Sequence, residues 1–387
     1  MIIMKLGLCL KYEQQNYGSK LQARATLQLF EELGHECHII HYGKAGLLFK
    51  LKALPRLFNK TFRQDKLVEW NIARSFKQHP ELSEELQLRK KTFKEYDSRF
   101  FDKYEVYGAK YIDIQRIANN YEAIVTCSDQ LWSPSGLGTN FYNLNFVPDN
   151  ILKVSFASSF GVSKIPTYQR KATANYLQRI EYVSCRENRG AEIVKELTGR
   201  NVPVLMDPVF AFNKEQWAKI VPERNIFDKP YLLCFLLGDN IAYRESVKKF
   251  AADRGLKIVT LRFLDQYVEY DATFGDIAPY DADPDTLLNI LRNAEYVLTD
   301  SFHICAFSII MHKQFAVFNR YSENNTSNKN SRIDTVCGNL DLNSRRVTAE
   351  NDLLNIMDIP IEWDVIDNKL ACYAKKMRNY LNNALKE

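Results

Sequence analysis

Short apolar runs alternate along the chain with segments of helical periodicity. KLGLCL (5–10) is a compact apolar run, LQARATLQLFEELG (21–34) repeats apolar residues at the spacing of one helix face, and CHIIHY (37–42) is a second apolar run. The runs are typical of buried strands, and the segment between them is typical of an amphipathic helix. A strand, a helix and a strand in succession form a βαβ unit, which predicts a parallel sheet.

The same alternation continues through the rest of the sequence. Further strands are predicted at 121–129, 153–161, 182–188, 202–208, 231–239, 256–264, 295–301 and 314–320. Helices are predicted at 189–199, 242–255, 283–294 and 302–313, and the chain closes with a long amphipathic helix at 361–387. We therefore predict an α/β fold with more than one doubly wound sheet.

These elements predict two Rossmann-like, doubly wound domains that face each other across a cleft, which is a GT-B-like architecture. The first domain is predicted at 1–165 and contains a charged, helical insertion at 44–110. The second domain is predicted at 166–362, and the helix at 363–387 is expected to pack back across both domains.

Composition narrows the class of protein. The 387 residues are 46% hydrophobic and carry a net charge of only +5, which over this length does not indicate a nucleic-acid partner. No apolar stretch reaches the ~18–20 residues of a membrane span, and the start lacks the features of a signal peptide. The eight cysteines are scattered singly, which favours buried thiols over disulfides or a zinc site. We expect a cytoplasmic protein without a metal.

One segment is unusually basic. Residues 44–66 hold seven lysines and arginines, one acid, and interleaved leucines and phenylalanines. Such a stretch can lie on an anionic membrane surface, so a peripheral contact with the inner face of the cell membrane is one interpretation. A helix docked on the protein with a solvated basic face is the other.

Polar residues that directly follow predicted strands are the candidate site residues, because ligands bind outside the carboxyl ends of strands in open α/β sheets. In the first domain these are Gln14, Gln15, Asn16, Tyr17, Gly18, Ser19, Ser128, Asp129, Gln130, Trp132, Ser158, Ser159 and Gly161. In the second they are Arg186, Glu187, Asp207, Gly238, Asp239, Asp300, Ser301, His303 and Arg320, with Arg332 at the start of a later helix. The motifs GxGxxG, GxxxxGK[ST], HExxH and GxSxG are absent, so transfer or binding without a built-in cofactor is expected.

His303 is the best candidate for a catalytic residue. It falls in the first turn of a predicted helix, where the helix dipole disfavours a charged imidazole. A general acid at this position needs a countercharge, which Asp300, Glu187 or an anionic substrate would supply. Three arginines at neighbouring strand or helix ends, Arg186, Arg320 and Arg332, suit phosphate or carboxylate oxygens. A structural helix cap remains the alternative for His303.

Several blocks of the sequence resemble the polysaccharide pyruvyl transferase family. They are KLGLCLKYEQQNYGSKLQARATLQLFEELGHECHIIHY, YEAIVTCSDQLWSP, KVSFASSFG, SCRENRGAEIVKELTGRNVPVLMDPVF and LRNAEYVLTDSFHICAFSIIMHKQFAVFNR with NSRIDTV, and they occur in order from residue 5 to about 336. The resemblance implies a GT-B-like fold and transfer of pyruvate from phosphoenolpyruvate, as a ketal, to a sugar of a capsular or exopolysaccharide precursor. It implies no metal and no cofactor besides this co-substrate.

The resemblance also assigns roles to residues. His303 aligns with the family's catalytic histidine and would be the general acid, and Arg186 aligns with an arginine expected to contact the donor. The donor side is expected to include Ser301, Arg320 and Arg332. Ser301 stands where members of the family tend to carry an arginine, and Ile304 where many carry glycine. The first domain would hold the acceptor through Asn16, Tyr17, Gly18, Ser128, Asp129, Gln130 and Trp132.

Two other functions remain open. A GT-B glycosyltransferase with a nucleotide-sugar donor would use the same frame, and the loss of the arginine at Ser301 keeps that alternative open. A non-catalytic scaffold in polysaccharide assembly is the third class. In the leading interpretation the acceptor is a lipid-linked oligosaccharide or a polysaccharide repeat unit, and the basic segment 44–66 brings the enzyme to it.

Overall fold

A computed structural model describes residues 3–43, 63, 66–67, 70, 74, 77–228, 230–262, 267–320, 331–347 and 352–386. The basic segment 44–66 therefore lies, apart from residues 63 and 66, outside the described residues. Two parallel β-sheets with alternating helices make up the described fold.

The first sheet has six parallel strands in the order β3-β2-β1-β4-β5-β6. Its strands are β1 Lys5–Cys9, β2 Glu36–Tyr42, β3 Glu105–Gly108, β4 Ala123–Cys127, β5 Leu152–Ser158 and β6 Tyr182–Cys185. The central strands β1, β4 and β5 are buried along nearly their whole length, because helices cover both faces of a parallel sheet.

The second sheet has five parallel strands in the order β11-β10-β9-β7-β8. They are β7 Tyr231–Phe235, β8 Lys257–Thr260, β9 Tyr296–Thr299, β10 Gln314–Phe318 and β11 Arg346–Val347. The strand order reverses next to β7 and β9, and a ligand is expected at such a switch point, outside the carboxyl ends of the strands.

Helices flank both sheets. They are α1 Tyr17–Glu32, α2 Ser83–Phe100, α3 Tyr111–Ala118, α4 Arg170–Arg179, α5 Asn188–Thr198, α6 Lys214–Ile220, α7 Ile241–Arg254, α8 Pro284–Asn293, α9 Phe302–Ile310, α10 Ser331–Asn339, α11 Asp352–Asp358 and α12 Trp363–Ala384. Helix α1 begins after Asn16, whose side chain accepts a hydrogen bond from the backbone N–H of Ser19. Helix α9 is buried over all its residues, consistent with the apolar sequence FHICAFSII.

The predicted boundary at residue 165 is too early. Strand β6, which that boundary places in the second domain, pairs in parallel with β5 of the first sheet, and Val204 extends this edge through a bridge to Cys185. The predicted insertion 44–110 also runs too far, because β3 pairs with β2 as the sheet's other edge. Apolar patterning identifies β6 as a strand but does not say which sheet it joins, whereas the half-polar sequence of β3 does not mark it as a strand at all.

The two sheets are held together by polar contacts from helices α1 and α2. The Tyr17 hydroxyl donates to the carbonyl oxygen of Ala282 at 3.1 Å. Arg24 donates to Asp285 at 2.7 Å, and Arg99 donates to Asp283 at 2.6 Å. These contacts join the first domain to the segment that leads into α8 and to the first turn of α8.

Helix α12 touches both domains. The Tyr380 hydroxyl donates to the carbonyl oxygen of Ser155 in β5 at 2.8 Å, and Arg378 pairs with Glu32 at the end of α1 at 2.9 Å. Nearer its start, Asp367 lies 2.9 Å from His312 at the end of α9. Across the described part of the chain, no helix is both long and apolar enough to cross a membrane.

Candidate functional site

A polar cavity of about 250 Å³ lies where the carboxyl ends of the two sheets face each other. Its walls come from the loop after β1, the start of α1, the loop after β4, the end of β7 and the start of α9. Helices α1 and α9 both point their N-termini toward this space, and helix N-termini favour anions.

His303 occupies the wall of this cavity and is 7% exposed. It is in the first turn of α9, directly after the turn that ends β9. Gly18 in the first turn of α1 lies against the imidazole, so closely that a Cβ atom built on Gly18 would be 2.2 Å from Nδ1 of His303. The ring is therefore held between an element of each domain.

Three buried side chains lie behind His303. The carboxylate of Asp207 accepts hydrogen bonds at its Oδ2 atom from the Ser128 hydroxyl and from Nη1 of Arg186, both at 2.7 Å. Arg186 also donates to Ser128 at 3.1 Å, and its guanidinium lies 4.9 Å from the ring centre of Phe302. Nε2 of His303 lies 3.8 Å from the same Oδ2 atom, which is within ion-pair range but longer than a hydrogen bond.

Electrostatics keep Asp207 ionised. Burial alone would raise the pKa of its carboxyl, but the nearby His303, Arg186 and Ser128 outweigh burial and hold that pKa well below its usual value. The same carboxylate, together with Asp129 and Glu187, raises the pKa of Arg186 against the opposing effect of burial. Asp207 and Arg186 therefore form a buried ion pair of fixed charge directly beside His303.

Cations dominate the charged lining of the cavity. Within the described ranges, five cationic side chains line it, Lys11, Arg89, Arg262, Arg320 and Arg332, against one carboxylate, Asp129. Arg89 and Arg262 also hold the walls together, because Arg89 donates to the carbonyl oxygens of Tyr280 and Arg262. This charge balance suits a ligand with several negative oxygens.

Asp129 is the acidic counterpart of these cations. It sits after β4 in the left-handed region with φ of 43°, and its Oδ2 atom accepts a hydrogen bond from Ser19 at 3.0 Å. Burial would raise its pKa, but Lys11, Arg186, His303 and Arg332 outweigh burial and lower the pKa to about 2. The carboxylate is thus charged over the working pH range and holds α1 against the cationic wall.

Replacing Asp129 with asparagine is expected to destabilise the protein in a pH-dependent way. Asparagine tolerates the left-handed backbone, so the variant mainly removes the charge. A carboxyl whose pKa drops to about 2 on folding adds about 2 kcal/mol to the free energy of unfolding above pH ~5. This contribution disappears as the pH falls from ~4 toward 2. Urea unfolding of both proteins at several pH values should therefore show a gap at pH 7 that narrows toward pH 3. A gap of constant size would contradict the role of charge.

Most of the site residues predicted from the sequence line the cavity. They are Asn16, Tyr17, Gly18, Asp129 and Gln130 on the first domain, and Ser301, His303, Arg320 and Arg332 on the second. Tyr17 lines the cavity, and its hydroxyl donates across to the carbonyl oxygen of Ala282, so it also joins the domains. Ser301 precedes α9, and its backbone N–H donates to the Thr299 hydroxyl at 3.0 Å.

Three predicted residues lie elsewhere. Trp132 is 4% exposed and packs on Phe160 and Tyr176 in the core, so the expected sugar-stacking role does not fit its position. Ser128 and Arg186 are buried behind His303 and do not line the cavity. The predicted direct contact of Arg186 with the donor and of Ser128 with the acceptor is therefore absent from this geometry. Strand-end position cannot distinguish a side chain that reaches the cleft from one turned beneath it.

Asp300 and Glu187, the carboxylates expected beside His303, both bond to other groups. Asp300 accepts hydrogen bonds from the backbone N–H groups of Leu237 and Gly238 at 2.7 and 2.8 Å. Glu187 accepts from the Ser159 hydroxyl at 2.9 Å and from the backbone N–H of Phe160 at 3.1 Å. Asp207 is the partner instead, although the sequence marked it only as one of many strand-end residues.

Three cations of the lining were missed by the sequence interpretation. Lys11 lies two residues after the end of β1, so the strand-end rule applied three positions before Gln14 would have found it. Arg262 follows β8, but the predicted strand at 256–264 placed it inside a strand. Arg89 lies on α2, far from any strand end, and no signal in the sequence connects it to the cavity.

The described ranges contain no group of three or more histidine, cysteine or carboxylate side chains arranged to hold a metal ion. What the cavity offers is a buried histidine backed by an ion pair, surrounded by cations and reached by polar side chains of the first domain. This set can bind an anionic molecule and exchange a proton with it.

Comparison with protein families gives one match. The model of the family described as polysaccharide pyruvyl transferase matches residues 16–322, which is most of the chain and includes every lining residue of the cavity except Lys11, Gln14, Gln15 and Arg332. No curated protein matches the sequence significantly.

Solved structures resemble the whole chain in fold. A putative UDP-N-acetylglucosamine 2-epimerase from Listeria monocytogenes superposes with a TM-score of 0.55 at 11% identity, over 100% of this chain and 97% of that one. S. aureus MnaA, solved with UDP, superposes with a TM-score of 0.53 at 11% identity, over 100% of this chain and 98% of that one. A UDP-GlcNAc 2-epimerase from Methanocaldococcus jannaschii superposes with a TM-score of 0.52 at 13% identity, over 93% of each chain. These are GT-B structures, so the predicted fold class is confirmed.

Proposed function

This chain belongs to the polysaccharide pyruvyl transferase family and is a transferase, and we propose that it moves a pyruvyl group from phosphoenolpyruvate to a sugar of a capsular or exopolysaccharide precursor. The product is a cyclic ketal. Two hydroxyls of one sugar add to the enol carbon of the donor, the C–O bond to phosphate breaks, and inorganic phosphate leaves. Of the two hydroxyl protons, the methyl carbon of the product gains one and the released phosphate carries the other.

The observation that carries this proposal is the position of His303 among the cations of the cavity. Phosphoenolpyruvate has a phosphate and a carboxylate close together, and five cationic side chains of the described residues line this space. Its methylene carbon must receive a proton before the sugar oxygen can add, so a protonated group must stand beside the donor. His303 is the histidine that lines the cavity.

The remaining residues have roles that follow from their places on the wall. Arg320 and Arg332 lie on the second domain beside α9 and are proposed to bind the donor's phosphate and carboxylate. Lys11 lies across the cavity and adds a further positive charge. Asn16 and Gln130 lie on the first domain and are proposed to hydrogen-bond the acceptor sugar. The C-terminal domain would thus hold the donor and the N-terminal domain the acceptor.

Thermal unfolding with candidate ligands tests the proposal. A ligand at ~100 times its Kd adds about 2.7 kcal/mol to stability, which predicts a rise in Tm of several degrees with phosphoenolpyruvate. Arg332→Gln should reduce this rise, whereas Arg254→Gln, a control on α7 outside the cavity, should leave it unchanged. Stabilisation by UDP, GDP or CMP and none by phosphoenolpyruvate would contradict the proposal and favour the nucleotide-sugar alternative.

Mass spectrometry of acceptors completes this test. We propose that the acceptor is a lipid-linked oligosaccharide and that segment 44–66, largely outside the described residues, brings the enzyme to the membrane surface where such acceptors lie. Incubation with lipid-linked and water-soluble saccharides should add the mass of pyruvate less water, with the lipid-linked acceptor in anionic vesicles modified faster. Equal rates would contradict the membrane contact but not the pyruvyl transfer.

A further inference from the structure

The two ring nitrogens of His303 have different surroundings. Nε2 is fully buried and forms no hydrogen bond with any residue in the described ranges, and it faces Oδ2 of Asp207 at 3.8 Å. Nδ1 lies next to Gly18, where the absence of a side chain leaves room for the ring. A buried polar nitrogen without a partner is costly, so Nε2 gains most by carrying a proton toward the carboxylate.

Asp207 is held in place on all sides. Its Oδ1 atom accepts a hydrogen bond from the backbone N–H of Val209 at 3.2 Å, and its Oδ2 atom accepts from Ser128 and Arg186. The side chain is 0% exposed and does not line the cavity. Asp207 therefore touches no ligand in the cavity, and it can influence the reaction only through His303 or Arg186.

We propose that Asp207 is a positioning residue that keeps a proton on Nε2 of His303, so that Nδ1 is the atom that exchanges a proton with the substrate. This inference rests on the proposed function, because it assigns the atom through which His303 acts as general acid. Arg186 and Ser128 then have a role other than donor binding. Arg186 and Ser128 orient the carboxylate of Asp207, and this carboxylate in turn orients the imidazole of His303. This role accounts for the burial of both side chains beneath the cavity.

The proton balance is simple. The imidazolium carries one proton on each nitrogen and gives the Nδ1 proton to the methylene carbon of the donor, while the N–H electron pair stays on Nδ1. The Nε2–H tautomer remains and points at Asp207. A sugar hydroxyl that adds to the enol carbon loses its proton, which can return to Nδ1, so the histidine ends the cycle as it began.

Other charged groups lie on the elements around His303. Asp129, Lys11, Arg89, Arg262, Arg320 and Arg332 line the same cavity, and Arg186 lies behind it. The carboxylate of Asp129, like that of Asp207, favours a positively charged imidazole, and the six cations disfavour it. Because Asp207 is the carboxylate in ion-pair contact with the ring, its removal is expected to change the tautomer of His303 more than removal of Asp129 does.

Asp207→Asn tests the inference, with Asp285→Asn as the matched control. Asp285 is also a buried carboxylate that pairs with an arginine, Arg24, but it lies away from the cavity. Histidine-selective ¹⁵N NMR reads the result without any substrate. The wild-type neutral ring should be the Nε2–H tautomer, and Asp207→Asn should mix the two tautomers, because the negative charge that favours a proton on Nε2 is gone. The signal is assigned by its loss in His303→Asn.

Kinetics provide the second readout. Pyruvyl transfer by Asp207→Asn should fall about 10- to 100-fold in kcat, with KM for phosphoenolpyruvate changed less than about threefold. Asp285→Asn should leave the tautomer as in the wild type. An unchanged tautomer in Asp207→Asn would overturn the inference, even if activity fell. Absence of pyruvyl transfer by the wild type would instead overturn the proposed function, while the NMR result would still decide the tautomer.

Discussion

His303→Asn is expected to lower pyruvyl transfer by about 10³-fold while the protein stays folded, because general acid catalysis contributes roughly 10² to 10⁴-fold. The variant removes the group that delivers the proton but leaves Asp207 paired with Arg186 and Ser128. Because Asp207 keeps its other partners, loss of the ion-pair contact with His303 should cost about 1 kcal/mol of stability, as is common for single substitutions. Phosphate release and product mass measure the first effect, and urea unfolding measures the second.

His312→Asn is the control for this variant. His312 lies just after the other end of α9 in the left-handed region with φ of 53°, which asparagine tolerates, and it contacts Asp367 outside the cavity. Its replacement should leave turnover within about twofold of the wild type. Equal turnover by His303→Asn and the wild type would contradict the role of His303 as general acid. Absence of turnover in the wild type, with either class of donor, would favour the non-catalytic scaffold.

Gly18→Ala is expected to lower turnover by at least about 10²-fold, because displacing a reacting group by roughly 1 Å has effects of this size. An added Cβ atom would lie 2.2 Å from Nδ1, 2.3 Å from Cγ and 2.6 Å from Cβ of His303. The last two atoms are not the free end of a flexible chain, so either the imidazole or helix α1 must move. Overpacking of this kind costs about 1–3 kcal/mol.

Helix propensity by itself predicts that Gly18→Ala stabilises the protein, which is opposite to the effect expected from overpacking. Alanine is favoured over glycine in a helix by about 1 kcal/mol, and Gly18 is in the first turn of α1. Gly338→Ala is the matched control, because Gly338 is also helical, on α10, and nothing lies within 4 Å of its added Cβ. We expect Gly338→Ala to stabilise slightly and to keep full activity. A Gly18→Ala variant that behaves like this control would show that α1 does not restrain His303.

Much of the fold was predictable from local patterns. The apolar runs at 5–10 and 231–239 contain β1 and β7, the run at 37–42 covers all of β2 except its first residue, and the segment 302–313 contains α9. The short edge strand β3 was missed because its sequence EVYG is half polar and its burial is low. The predicted strand at 202–208 forms only the bridge at Val204, since the chain turns at Pro208.

The site was predictable to the extent that topology sets it. Parallel strands bring their carboxyl ends to one edge, and this rule alone places Asn16, Asp129, Ser301 and His303 together. The same rule treats Trp132 and Gln130 alike, although the first is in the core and the second lines the cavity. Which way a side chain turns after the strand depends on packing with distant elements, and that information is not local.

The sequence by itself determined most of the strands, the membership of a family and the choice of His303, because these depend on local periodicity, on ordered sequence blocks and on residues at strand ends. Only the tertiary structure decided that β6 joins the first sheet, that Arg186 is buried with Asp207, and that Gly18 lies against the imidazole. Each of these is a contact between segments far apart in the chain. Such contacts are selected by the burial and charge pairing of the whole fold, which no single stretch of sequence specifies.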